Sequence, residues 1–184
     1  MSAKTERKAI DKVFVLLGAA STAALLVIGG LAWYGHQFAA GMVTQELSAQ
    51  KIYFPEAGSR ELLELTEEDR AEMSKYAGQQ LVNGEQAKVY ANNFIGAHLE
   101  KIAGGKTYAE ISDESMKNPT DAKLQGQKTA LFQGETLRGM LLGTGYAFWT
   151  FGMIAKYAAI AAFVGAAIMF VLVLLGLRHL SKLK

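Results

Sequence analysis

Two stretches of this 184-residue chain carry almost no charge, and they constrain what it can fold into more than any other feature. The first is Val13 to Gly35, VFVLLGAASTAALLVIGGLAWYG, 23 residues without a charged side chain. As a helix rising about 1.5 Å per residue it would reach roughly 35 Å, enough to cross a hydrocarbon core of about 30 Å. Trp33 and Tyr34 close it, and amphipathic rings of this kind favour the headgroup level. A cleaved signal peptide would share the basic lead-in. Its apolar region usually spans only about 7–15 residues, however, and HQFAAG downstream offers no clean A-x-A site. The run reads as an uncleaved anchor.

The second stretch follows Arg138. From Gly139 to Leu177 Lys156 is the only charge in 39 residues, too long for one span and awkward for two. Tyr157 to Leu177, 21 uncharged residues, makes a complete span. Gly139 to Ala155, GMLLGTGYAFWTFGMIA, is rich in aromatics and glycine. A third span would need a turn, and KYAAI around Lys156 has no Gly, Pro or Asn. It would also put the two basic tails on opposite faces. Residues 139–155 therefore read as an interfacial or domain-packed lead-in. Tyr146, Trp149 and Tyr157 are expected at one headgroup level, with Trp33 and Tyr34 as the anchors of the first span. Lys156, at the start of its span, can extend its stem to the interface, so it reads as a further anchor.

Charge is distributed unevenly. Lys4, Arg7, Lys8 and Lys12 dominate the first 12 residues, and Arg178, Lys182 and Lys184 the last seven. Residues 36–141 hold 15 acidic and 11 basic side chains, a net −4. Cytoplasmic flanks favour Lys and Arg, which predicts both tails in the cytoplasm and the middle outside. A nucleic-acid binder would carry its basic excess on the folded domain, so that class is disfavoured. There are no cysteines, which excludes disulfides, thiolate metal sites and cysteine nucleophiles.

The middle, about 105 residues, is of ordinary single-domain size. Residues 36–50 should continue the first helix. KIYFPEAGSR, residues 51–60, reads as extended and then turning, broken by Pro55 and Gly58. Thr66 caps a helix that opens with Glu67, Glu68 and Asp69 and is expected to end near Val82 to Gly84. The next helix spans about Glu85 to Ala103 and stops at Gly104-Gly105. Its apolar face is expected to hold Ala87, Ala91, Phe94, Ile95, His98, Leu99 and Ile102. Thr107 caps a short helix from Tyr108 to about Met116. Thr120 or Asp121 then caps a last one starting at Ala122.

Catalytic signatures are weak. The three histidines, His36, His98 and His179, are scattered, and no H-x-x-x-H or E-x-x-H pairing accompanies them. His98 reads as a half-buried histidine bonded to a neighbour. The carboxylates read as helix starts and wet surface, with Glu135 able to pair with Arg138 three residues on. Gly104-Gly105-Lys106-Thr107 resembles the end of a phosphate loop, but the required upstream glycine and strand are missing. No cofactor is expected. The spans carry small residues at fours: Ala158, Ala162 and Ala166, beside them Ala161 and Gly165, and Ala19–Ala23 and Ala20–Ala24 in the first span. Such faces let helices approach closely, on each other or on a partner.

Four stretches, GEQAKVYANNFIGAHLEKIAGGKTYAEIS (84–112), NPTDAKLQGQ (118–127), TALFQGETLRGMLL (129–142) and YAFWTFGMIA (146–155), occur in an order that resembles a family of actinobacterial two-span membrane proteins with no established function. Relatives often carry a bulkier aromatic pair near Phe148-Trp149. Some have been labelled ring-opening dioxygenases. The resemblance implies topology and a place in the cell membrane, and no activity, since three scattered histidines assemble no iron site.

The sequence thus predicts an all-α chain, with two transmembrane helices flanking a helical extracytoplasmic domain. Its parts are a basic tail (1–12), a span (13–35), the domain (36–138), the lead-in (139–155), a second span (156–177) and a second basic tail (178–184). The function expected is that of a non-enzymatic envelope protein whose outer domain contacts a partner or ligand. The lipid bilayer is one partner; a membrane protein or a second copy of the chain is another. The alternatives are a subunit of a larger membrane complex and an outer-leaflet enzyme with only His98 and nearby acids to draw on.

Overall fold

The computed structural model describes residues 3–182, so Lys184 and the outermost ends of both basic tails lie outside the described residues. The fold is all-helical, 83% helix without strands among the described residues. The helices are α1 (Ala3–Ala49), α2 (Arg60–Leu63), α3 (Glu67–Ser74), α4 (Gly84–Val89), α5 (Ala97–Ala103), α6 (Tyr108–Lys117), α7 (Ala122–Met140) and α8 (Phe148–Lys182). Two π-helical stretches, Tyr90–Gly96 and Leu141–Ala147, join α4 to α5 and α7 to α8 without a break. The chain divides into two compact units, Met1–Phe38 with Gly152–Lys184, and Ala39–Phe151.

The first unit is a pair of antiparallel helices. Two helices, α1 and the continuous run Ala122–Lys182, are long and apolar enough to cross a membrane. Their most apolar windows are only 17% buried, unlike the core helix of a soluble fold. Contacts within the unit run in opposite senses along the two helices. A Cβ at Gly176 would lie 2.7 Å from Val15, one at Gly18 2.8 Å from Val173, one at Gly165 3.5 Å from Leu25, and one at Gly29 2.8 Å from the Phe163 ring. The shielded positions on α1 are Asp11, Val15, Gly18, Thr22, Leu25, Gly29, Ala32 and His36, alternating steps of three and four. On α8 the same alternation picks out Gly152, Ala155, Ala159, Ala162, Ala166, Met169, Val173 and Gly176. A stripe repeating about every 3.5 residues is the seam that keeps two helices facing each other along their length. The one buried hydroxyl of the seam is satisfied within its own helix: Thr22 Oγ1 donates to the Gly18 carbonyl at 2.8 Å.

This seam differs from the small-residue faces expected from spacing. Ala162 and Ala166 are buried, at 8% and 2% exposure, and Gly165 lies at the edge. Ala158 and Ala161 face outward, as do Ala19, Ala20, Ala23 and Ala24, whereas Ala159 is fully buried. Steps of four drift around a helix, and the packing here is a large side chain in a glycine notch rather than alanine on alanine.

In the second unit the end of α1 supplies Val43 and Leu47 to a core completed by Phe54, Leu62, Leu65, Met73, Leu81, Ala87, Ala91 and Leu141. A second cluster gathers Leu99, Ala103, Ile111 and Leu131. Residues 51–55 are extended, and Phe54 N–H donates to the Gln79 carbonyl while Leu81 N–H donates to that of Ile52, both at 2.9 Å. That pairing explains why α3 stops at Ser74, short of the end expected near Val82. The chain turns through Gly78, at φ +69°, and continues extended. The caps expected at Thr66 and Thr107 accept the N–H groups of Asp69 and Glu110, and of the two candidates Thr120 and Asp121 it is Asp121 that caps α7, accepting from Lys123 and Leu124. Gly104, at φ +61°, ends α5 in the left-handed conformation that glycine adopts most readily.

Candidate functional site

The helix from Gly84 is capped by the Asn83 side chain and held at its start by Gln86, which is 4% exposed and accepts the Val82 N–H at 2.8 Å. After Val89 the helix widens into the first π-helical stretch. A wider turn accommodates an extra residue and rotates everything after it. Ala87 before the stretch and Ala91 within it are fully buried; afterwards Leu99 and Ala103 are inside, and Ile102, expected on the buried face, is 40% exposed. Arg138 on α7 holds the widened turn. Its Nε donates to the Ala91 carbonyl at 3.1 Å, Nη2 to Asn92 Oδ1 at 3.2 Å, and Nη1 to both Glu135 oxygens at 3.0 Å.

Beside this turn lies a cleft of about 510 Å³ lined by Glu72, Tyr76, Glu85, Lys88, Val89, Asn92, Asn93, Tyr146, Trp149 and Thr150. The first π-helical stretch supplies the two asparagines, and the second supplies Tyr146. Trp149 is half-buried against Gly84, where a Cβ would come within 2.5 Å of the Trp149 Cβ. Lys88 Nζ stands 5.0 Å from the centre of the Tyr146 ring, within range of cation–π attraction. Glu72 is paired with Lys75, and the Thr150 hydroxyl donates to the Tyr146 carbonyl. Among the described residues the Tyr76 and Tyr146 hydroxyls, the Trp149 indole N–H and the Glu85 carboxylate make no intramolecular hydrogen bond or ion pair.

Two other clefts in the same unit have several of their polar groups engaged within the fold. One, of about 370 Å³, is lined by Asp69, Asn92, Glu100, Lys106, Glu135 and Arg138 among others, and the other, of about 380 Å³, by Thr66, Asp69, Glu100 and Lys101. Asp69 accepts from Thr66 and Asn93, Lys106 binds Glu114 at 2.7 Å, and Lys101 donates to the Glu64 carbonyl. In the two-helix unit an apolar groove of about 460 Å³ ends at Asp11 and His179, whose Oδ2 and Nε2 are 3.7 Å apart.

The remaining residues singled out by sequence are dispersed. His98 lines none of these clefts: its Nδ1 lies 2.7 Å from the Phe94 carbonyl and its ring 4.6 Å from that of Phe94. Trp33 is 40% exposed and sits edge-on to His36, whose Nδ1 is 3.0 Å from the Gly152 carbonyl. Tyr34 and Tyr157 are open, at 70% and 64% exposure, and Lys156 is half-buried. No group of three or more His, Asp or Glu side chains is arranged to hold a metal ion among the described residues. In the lead-in, Leu141 and Gly145 are buried in the lobe, packed with Ala87 and Leu47. Asn92, Asn93, Glu85 and Lys88 went unnoticed in the sequence because the cleft they line is completed by Tyr146, Trp149 and Thr150, more than 50 positions further along the chain. Compared with family models, curated proteins and solved structures, the chain matches none.

Proposed function

We infer that this chain is an integral membrane protein of the cell envelope, non-enzymatic, whose helical lobe stands outside the membrane and takes a ligand or partner. The observation that carries the reading is the uncovered apolar surface of the helix pair. Phe14, Leu16, Leu31, Val164, Ile168 and Phe170 are all more than half exposed on helices long enough to span a bilayer. Large apolar patches left open in this way mark a surface that something else covers, and here lipid would cover them from all sides. The basic ends and net-acidic middle support placing both tails in the cytoplasm. The resemblance to the actinobacterial two-span family points the same way. A non-enzymatic role is supported by the engagement of His98, Asp69 and Arg138 within the lobe, while the 510 Å³ cleft keeps several polar groups without intramolecular partners.

A second reading, a subunit of a larger membrane complex, draws on the outward Ala158 and Ala161 and on Ala19, Ala20, Ala23 and Ala24, small faces that the helix pair does not use itself. Alkaline carbonate extraction followed by mild-detergent purification, with and without crosslinking, tests both readings. The chain should remain in the carbonate-washed membranes. Its release as a soluble species overturns the membrane assignment, and a clean monomer after crosslinking removes the complex-subunit reading.

A further inference from the structure

We propose that the cleft between Tyr76, Tyr146 and Trp149 binds a neutral polyhydroxylated ring, a saccharide unit of a glycan. The proposal rests on the ligand-binding reading above and gives its ligand a chemical class. Three properties of the lining select that class. The first is charge: Glu85 and Lys88, one turn apart on α4, both line the cleft without pairing to each other. The opposite charges cancel, so the lining gives neither an anion nor a cation a net advantage, while both groups can bond to neutral hydroxyls.

The second property is the pair of amides. Asn92 has committed its Oδ1 to Arg138, which leaves its Nδ2 hydrogens free. Asn93 has committed its Nδ2 to Asp69 at 2.8 Å, which leaves its Oδ1 free. Adjacent residues therefore offer one donor and one acceptor, held in place by bonds to the lobe. A hydroxyl donates and accepts at once, so neighbouring hydroxyls on a ring match this pair. The third property is amphipathy. Tyr76, Tyr146 and Trp149 bring apolar ring surface to the lining, although the Tyr146 ring carries Lys88 Nζ at 5.0 Å, while the Tyr76 and Tyr146 hydroxyls and the Trp149 indole N–H have no intramolecular partner among the described residues. A wholly apolar ligand would strand those groups. A sugar ring, with C–H faces and a hydroxyl edge, satisfies both. The volume of about 510 Å³ falls in the range of small-ligand clefts.

The test uses the full chain in lipid nanodiscs, since glycosidic detergents carry the chemistry under study. There are two tryptophans, so a Trp33→Phe background reports Trp149 alone. Maltotetraose, cellotetraose and chitotetraose are titrated in turn. At least one should change the emission saturably, and Tyr146→Leu or Glu85→Gln should each weaken that binding by about tenfold or more. Glu85 is exposed, so Glu85→Gln keeps the fold even if Tyr146→Leu does not, and the unliganded melting temperature of each variant checks this. The proposal is overturned if none of the three saccharides gives saturation. It is overturned equally if tetramethylammonium or inorganic phosphate saturates the same signal instead, or if Glu85→Gln binds like the parent. Binding to purified protein does not depend on which side of a membrane the lobe occupies, so a negative result leaves the membrane reading standing.

Discussion

Gly84 and Gly126 both lie in helices of the lobe, yet alanine should act oppositely at the two. At Gly84 the added methyl would meet Trp149 at 2.5 Å, with backbone-anchored atoms that cannot swing aside. Overpacking of this kind costs about 1–3 kcal/mol, so Gly84→Ala should lower the thermal midpoint of the lobe. Gly126 faces open space on α7, where alanine gains about 0.5–1 kcal/mol of helix propensity, so Gly126→Ala should raise it. Calorimetry on the two variants checks both signs. Thr107 and Glu110 give a residue-scale test in pH. The Glu110 carboxyl accepts the Thr107 backbone N–H and then its hydroxyl, and these bonds hold it below the ordinary carboxylate range. A lowered folded-state value contributes stability that is present above the unfolded value and lost as pH falls through the folded one. Hydrogen-exchange protection of the first turn of α6 should therefore hold from neutral pH into mild acid and drop only below the normal carboxylate titration. Glu110→Gln should show no such step.

At the scale of the element, the π-helical stretch from Tyr90 to Gly96 depends on a residue 42 positions beyond it, Arg138. Removing that guanidinium leaves the Ala91 carbonyl and Asn92 Oδ1 without their donor, so Arg138→Met should cost about 1.5–3 kcal/mol in denaturant unfolding, and Arg138→Lys should rescue only part of it. Local signals made the helix caps legible in the sequence, though not the end of α3 at Ser74. Thr66, Thr107, Asp121 and Gly104 act within one turn of themselves, and each stands where its chemistry places it. The widened turn was not legible, because no residue inside YANNFIG demands it and its stabilising partner is on another helix. The misplacement of Ile102, the placing of Asn92 and Asn93 in the lining of the cleft, and the seam through Gly18, Ala159 and Gly29 follow from tertiary packing in the same way. Trp149 illustrates the limit: its type and its place before an apolar run suggest a membrane anchor, but its packing against Gly84 is visible only in three dimensions.

For the whole molecule, composition carried more of the account than any motif. Two uncharged runs, two cationic ends and an acidic middle are properties of blocks, and they survive whatever the details of packing. The helix pair and the lobe each have their own seam or core, and the claim on which the functional reading depends is that lipid separates the tails from the lobe. The absence of cysteine makes that claim directly measurable. Single cysteines at Asp113 on α6 and at Ser181 near the end of α8 occupy exposed positions. With a membrane-impermeant maleimide on intact cells, the cysteine at Asp113 should label at once and that at Ser181 only after permeabilisation. Immediate labelling at Ser181 with protection at Asp113, or free labelling of both, would contradict the account.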